Sequence, residues 1–266
     1  MSLNRNFPLK IALIGDGAIS RYVQAGIAAH PVEIVALIMR PGRTGAIRCA
    51  PCVTCISDLP SDTGLVVDCA GHAGLRDHGP PALARGIDVI TVSLGALADE
   101  SLYAALSQAA SEGHARLRLA SGAIGALDAL RAARTGGLDH VRYVGRKPPA
   151  GWRGSPAEDV LDLGSLTAAA THFSGSAGAA ATQYPKNANV AAAVALASLG
   201  FEDTQVDLIA DPSITKNVHE IEAAGAFGEM RFSIAGKALP DNPRSSALAA
   251  MSTLAAILDQ RTTIGF

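Results

Sequence analysis

The feature that most constrains the fold is the stretch Lys10-Ile11-Ala12-Leu13-Ile14-Gly15-Asp16-Gly17-Ala18-Ile19-Ser20, where an apolar, β-prone segment runs into a Gly-x-Gly turn and then a helical pattern. Gly15 permits the tight turn, because glycine reaches backbone conformations that a Cβ forbids. Gly17 lets the backbone approach a pyrophosphate, whose charge meets the amides and the positive dipole end of the helix. Ser20 stands where the third glycine of G-x-G-x-x-G would be and remains small enough for close helix–strand packing. The glycine pattern is generic by itself; the strand before it and the helix after it make it a dinucleotide-binding signal. Gly15, Gly17, Ala18 and Ile19 are candidate cofactor-binding residues, with a plain strand-to-helix turn as the alternative.

The same rhythm continues. Apolar runs at Ile11–Ile14, Glu33–Met39, Leu65–Cys69, Asp88–Val92 and Ala115–Leu119 read as strands, separated by helical stretches such as Ser20–Ala29 and Glu100–Glu112. Runs without period-two alternation, such as Leu65-Val66-Val67, suit strands covered on both faces. The fold class is therefore α/β, with an N-terminal Rossmann unit, a doubly wound parallel sheet, over residues 1–122. After Gly125 the pattern changes: a helix at Asp128–Arg134, a strand at His140–Lys147, and alternating strands near Val206–Ala210, Val218–Ala223 and Glu229–Ile234. This predicts an α+β second domain over 123–242, with residues 243–266 returning to the first domain as a helix, Ala247–Leu258.

At 266 residues, 48% hydrophobic, the chain can bury a core of this size. A formal net charge of −2 with no Lys/Arg run argues against a nucleic-acid partner. The low-polarity stretch Ala177 to Gly200 is interrupted by Gln183, Lys186, Asn187 and Asn189, so it reads as core helices and not as a membrane span. The first ten residues lack the pattern of a signal peptide, which predicts a cytoplasmic protein. Cys49, Cys52 and Cys55 have a C-x2-C-x2-C spacing, but a short strand there would point i and i+3 to opposite faces, and no further ligand follows; no metal is expected. The low charge and the exposed side of the second sheet make a homodimer through that sheet the expected assembly.

Several residues bear on chemistry. The second strand ends Met39-Arg40-Pro41-Gly42-Arg43, with no acidic residue for the ribose 2′-hydroxyl of NAD. Arg40 or Arg43 instead suits the 2′-phosphate of NADP, so both NAD and NADP are expected as cofactors, with two solvated arginines as the alternative. Two small, flexible strand ends, Cys69-Ala70-Gly71-His72 and Ser93-Leu94-Gly95-Ala96, fall where a doubly wound sheet places its ligand crevice, making Ala70 and Gly71 candidate cofactor contacts. His72 is read as a loop residue that either touches the cofactor or serves only local hydrogen bonding. Among the seven histidines, His219 sits in an alternating strand and can project into a cleft, with a satisfied structural histidine as the alternative that spacing alone favours; His30, His78, His114, His140 and His172 are read in turns or exposed positions without partners. Before an Ala-rich helix, Asn187 or Asn189 can cap the helix or bind the nicotinamide carboxamide or ribose, and Lys186 can face a substrate carboxylate.

Taken together, Ile14-Gly15-Asp16-Gly17-Ala18-Ile19, Val92 to Asp99, Ser121-Gly122-Ala123-Ile124-Gly125-Ala126-Leu127-Asp128, Gly145-Arg146-Lys147-Pro148-Pro149, Tyr184-Pro185-Lys186-Asn187-Ala188-Asn189-Val190 and Asn217-Val218-His219-Glu220-Ile221 resemble the L-aspartate dehydrogenase family. The resemblance implies oxidation of L-aspartate by NAD or NADP to iminosuccinate, which hydrolyses to oxaloacetate and ammonia or feeds NAD biosynthesis, with reverse amination also open. It implies His219 as the catalytic histidine, also in contact with the substrate, and Ala123, through its backbone, and Asn189 as cofactor contacts. Lys186, Lys147 and Arg146 become candidates to pair with the substrate carboxylates. His219 would position or deprotonate the water that attacks the imine, or relay the amine proton. The rival readings are another two-domain dehydrogenase or imine reductase, resembling homoserine dehydrogenase or dihydrodipicolinate reductase, and a dinucleotide sensor without catalysis.

Overall fold

The computed structural model describes residues 7–42, 49–185, 187–240 and 242–264, in two compact units. The first unit comprises Met1–Ser93, Asp99–Ala120 and Ala249–Phe266. Its strands β1 (Leu9–Ile14), β2 (Val32–Ile38), β3 (Cys52–Val53), β4 (Leu65–Asp68), β5 (Asp88–Thr91) and β6 (Leu117–Leu119) form one parallel sheet in the order β3-β2-β1-β4-β5-β6. Helices α1 (Ala18–Gly26), α2 (His72–Ala84) and α3 (Glu100–Glu112) supply the crossovers. Ile11, Leu13, Val66, Val67 and Ile90 are wholly buried, as expected of central parallel strands covered on both faces. Helix α2 was not legible in the sequence: it starts after Gly71, whose φ of 87° suits glycine, and it contains Pro80 and Pro81, a pair that ordinarily ends a helix. His72 and His78 are thus helical residues, not loop or turn residues.

The second unit comprises Leu94–Ala98 and Ser121–Leu248. It holds α4 (Leu127–Gly136), β7 (Leu138–Lys147), β8 (Ala170–Ser176), α5 (Ala177–Gln183), α6 (Asn189–Ala197), α7 (Gly200–Asp203), β9 (Gln205–Ala210), β10 (Asn217–Gly225) and β11 (Gly228–Gly236). The five strands lie in the order β11-β10-β7-β9-β8, with β7 and β9 parallel and the other pairs antiparallel. Period two divides the faces. Tyr143, Val206, Leu208, His219, Ile221 and Ala223 are buried on one, while Arg142, Glu220 and Glu222 occupy the other, where Arg142 pairs with Asp207 and Glu222. Helix α6 is apolar all round and Val190 to Ala195 are buried, so it is a core helix. The strand β8 escaped the sequence reading because its burial does not alternate: His172 and Phe173 are both buried.

The final helix, α8 (Ala247–Asp259), packs in the first unit, with Ile257 fully buried and Leu254 pressed against Gly26 of α1, where a Cβ would lie 2.4 Å from a Leu254 methyl. No described helix is long and apolar enough to cross a membrane.

One buried carboxylate shapes the ligand end of the parallel sheet. Asp68, at the end of β4, accepts hydrogen bonds from the hydroxyls of Thr91 (2.8 Å) and Ser93 (2.5 Å) and from the Ala70 amide (3.0 Å). Burial pushes its carboxyl up, opposed by these bonds. It fastens β4 to β5 and folds the Cys69-Ala70-Gly71 turn back towards the glycine loop. Asp68→Ala would strand these donors in the interior, so we expect a loss of about 3 kcal/mol, read as a lower urea midpoint, against about 1 kcal/mol for Thr91→Val.

Candidate active site

The dinucleotide cradle is built from backbone in the first unit. At the end of β1, Gly15 has φ 85°, and a Cβ there would lie 3.0 Å from the Ala70 Cβ, so the two loops touch through the missing side chain. Gly17 is the N-cap of α1; no side chain caps this helix and no acidic residue occupies its first turn, which leaves its amides and dipole for an anion. Ser20 is fully buried and its hydroxyl accepts from Gln24 at 3.0 Å, so serine substitutes for the third glycine without opening the packing. A cleft of about 280 Å³ is lined by Gly15, Gly17, Arg40, Ala70, Asp77 and His78 among others. Ala18 and Ile19 form the first turn of α1, and Gly71 precedes α2. These residues fit a dinucleotide: a Gly-Asp-Gly loop that exposes backbone at both glycines, an uncapped helix start and, at the end of β2, the exposed cation Arg40. Arg43 lies outside the described residues.

The chemistry-bearing side chains gather in the second unit, on the buried face of its sheet. His219 on β10 stands opposite Gly145 on β7. A Cβ on Gly145 would lie 2.7 Å from the Tyr143 hydroxyl, so the glycine leaves the space that this hydroxyl fills. The hydroxyl meets His219 Nδ1 at 2.7 Å, and the two rings stack at 19°. Tyr143 is buried and burial raises its pKa, so it stays protonated and donates to Nδ1. The ring proton of His219 is then on Nε2. Burial, helped by the charge of Lys147, lowers the pKa of His219 to about 4, so it is neutral at pH 7.

Lys147 ends β7 on the same face, two residues beyond Gly145. Its ammonium donates to Asn187 Oδ1 at 2.7 Å and lies 4.6 Å above the Trp152 ring. Burial lowers its pKa to about 8. Trp152 is fixed by its indole N–H, which donates to the Ile209 carbonyl at 2.9 Å. His172 meets the edge of Trp152, with ring centroids 4.3 Å apart, and its Nδ1 is 3.1 Å from the Tyr184 hydroxyl. Its pKa too is lowered to about 4 by burial and by Lys147.

The structure thus brings His219, Lys147 and Asn187 together with Tyr143, Trp152, His172 and Tyr184. It corrects four expectations. His172 is buried and partnered. Arg146 projects from the opposite face of β7 and pairs with Asp211 at 3.1 Å, so it does not join this cluster. Neither asparagine caps α6: its N-cap is Ala188, the Asn189 amide oxygen accepts from the Gly95 amide at 2.9 Å, and Asn187 holds Lys147. The second strand end, expected to be open and flexible, is buried from Ser93 to Ala96. Ala123 is buried in the second unit's core, and Lys186 lies outside the described residues. Period two along β7 places Tyr143 on the face of Gly145 and Lys147, a signal that could have identified it from sequence.

Residues 13–120 match the family profile described as homoserine dehydrogenase, NAD binding domain, and residues 128–260 match aspartate dehydrogenase, C-terminal. The chain is 55% identical over 259 residues to L-aspartate dehydrogenase of Ruegeria pomeroyi, covering 96% of this chain and 94% of that one. It is 46% identical to L-aspartate dehydrogenase of Pseudomonas aeruginosa, over 94% and 96% of the two chains. Its fold is similar to the crystal structure of aspartate dehydrogenase from Thermotoga maritima, with a TM-score of 0.78 at 26% identity, over 97% of this chain and 99% of that one. By its second-half profile and by near-full-length identity, this chain belongs to the L-aspartate dehydrogenase family.

Proposed function

We propose that the chain catalyses the NAD(P)-dependent oxidation of L-aspartate to iminosuccinate, which is hydrolysed to oxaloacetate and ammonia. The observation that carries this reading is the 55% identity, over nearly the whole chain, to a relative named L-aspartate dehydrogenase. The chemistry of the second unit supports it.

A bound nicotinamide would supply the acceptor for the Cα hydride, the amine proton lost as the imine forms passing to solvent. The chain's own residues do the rest. Lys147, with no ion-pair partner among the described residues, attracts a carboxylate of the substrate, and Asn187 aims its ammonium. His219 offers the Nε2 hydrogen to the water oxygen that adds to the imine carbon. With a pKa of about 4 it is a weak base at neutral pH, which favours positioning of the water over its deprotonation. Tyr143 is a positioning residue: it fixes the tautomer and orientation of His219 through Nδ1. At the cradle, Arg40 donates to the 2′-phosphate of NADP, whereas NAD, which lacks that phosphate, is held by the backbone of the glycine loop without it.

With His219→Asn, turnover of L-aspartate should fall by about a hundredfold or more while binding of reduced cofactor, followed by fluorescence, is retained. Tyr143→Phe should lower kcat by about tenfold at unchanged KM. Near-wild-type turnover by His219→Asn overturns the assigned role. Arg40→Ala should reduce kcat/KM for NADP by about tenfold and leave NAD within about twofold; an unchanged ratio of the two refutes NADP recognition by Arg40.

The buried imidazoles also make the fold acid-sensitive. The unfolded chain takes up protons near the ordinary histidine pKa, 6.5, whereas folded His219 and His172 do so only near 4. Their contribution is therefore fully present above 6.5 and is lost as pH falls from 6.5 towards 4, by roughly 3 kcal/mol for His219. Urea midpoints measured across that window should fall steeply for the wild type and less so for a His172→Gln/His219→Gln double variant.

A further inference from the structure

The proposed activity uses His219 but leaves the second buried imidazole unexplained. His172 sits at a β-bulge: the register of β8 against β9 shifts between Thr171 and Phe173, so His172 is the extra residue, turned inward beside Phe173. It is 7% exposed. Tyr184, itself buried, approaches its Nδ1, and donation of the Tyr184 hydroxyl hydrogen there leaves the ring hydrogen on Nε2. That Nε2 is one of two buried side-chain polar atoms with no hydrogen-bond partner among the described residues. Burying an N–H donor without an acceptor is costly, and native folds tolerate it chiefly where a function repays it.

Its surroundings indicate the missing acceptor. His172 abuts one side of Trp152 while the Lys147 ammonium lies over the same ring. Asn187 takes one of the three ammonium hydrogens, and Lys147 has no ion pair among the described residues. The corner therefore combines a cation with a neutral N–H donor, complementary to a carboxylate. Lys147 is two residues along β7 from Gly145, the partner of His219, which places it about 7 Å further along the strand direction. A substrate with its reacting carbon at His219 would extend its side chain towards this corner.

We infer that His172 is a specificity-determining residue whose Nε2 hydrogen, together with Lys147, binds the side-chain carboxylate of the amino-acid substrate. This rests on the proposed oxidation of L-aspartate. The wild-type chain is therefore assayed first: absence of L-aspartate turnover overturns that activity and this inference with it. Given turnover, His172→Phe should raise KM for L-aspartate and weaken competitive inhibition by succinate by at least about tenfold, with kcat within about twofold and inhibition by the monocarboxylate propionate unchanged. His172→Gln, which restores an N–H donor, should recover most of the loss. Unchanged constants, or equal weakening of succinate and propionate, would overturn the inference while leaving the proposed activity standing. A second measurement does not depend on the variants folding: in wild-type protein carrying isotopically labelled histidine and saturated with NAD, the Nε2 proton resonance of His172 should shift on adding succinate but not propionate. A resonance that stays in place with both overturns the inference.

Discussion

The second unit's site depends on one hydrogen bond, from the Tyr143 hydroxyl to His219 Nδ1, made in the space that Gly145 leaves on the neighbouring strand register. A side chain at 145 would displace the hydroxyl, and without the hydroxyl the imidazole would have no fixed tautomer. The bond is buried, and the same burial that strengthens it removes the charge from His219. Beside it stands the cation Lys147, whose field reaches both buried imidazoles. The result is a positive corner between two neutral rings, an arrangement suited to an anionic substrate and to water held at a fixed position.

The first unit solves a different problem with different means. Its cradle is made by backbone: a glycine at positive φ, a helix start without a side-chain cap, and a turn held by the buried Asp68 carboxylate. Such a device recognises a pyrophosphate whatever the substrate, because amides and a helix dipole carry no information about the reacting group. This explains why the first half of the chain matches a profile described for homoserine dehydrogenase while the second half matches one for aspartate dehydrogenase. The side chains proposed to face the substrate lie in the second unit.

Much of this was legible in the sequence where signals are local. The strand-glycine-helix run, the apolar runs of the parallel sheet and α3 at Glu100–Glu112 follow from spacing and composition over a few residues. His219 could be singled out because its neighbours Val218 and Ile221 do not share one clean face, and its role was implied by the family resemblance of Asn217 to Ile221. Helix α2 was hidden because Pro80 and Pro81 argue locally against a helix that the unit nevertheless holds. His172 was placed among exposed residues because a bulge, which turns two successive side chains inward, leaves no periodic trace.

The sequence by itself determined the α/β class and the cofactor cradle, since these rest on short-range periodicity or on glycine's lack of a Cβ, and it made His219 a candidate through the resemblance of its segment to the L-aspartate dehydrogenase family. Only the tertiary structure decided which charged residues share the site. Lys147 and Arg146 are adjacent in sequence, but the pleat sends Lys147 to the buried face with Trp152 and Arg146 to the other with Asp211. Likewise, Tyr143 and His219, or Trp152 and His172, meet only because strands far apart in the chain pair in a particular register, and register is fixed by packing of the whole sheet, not by any one segment.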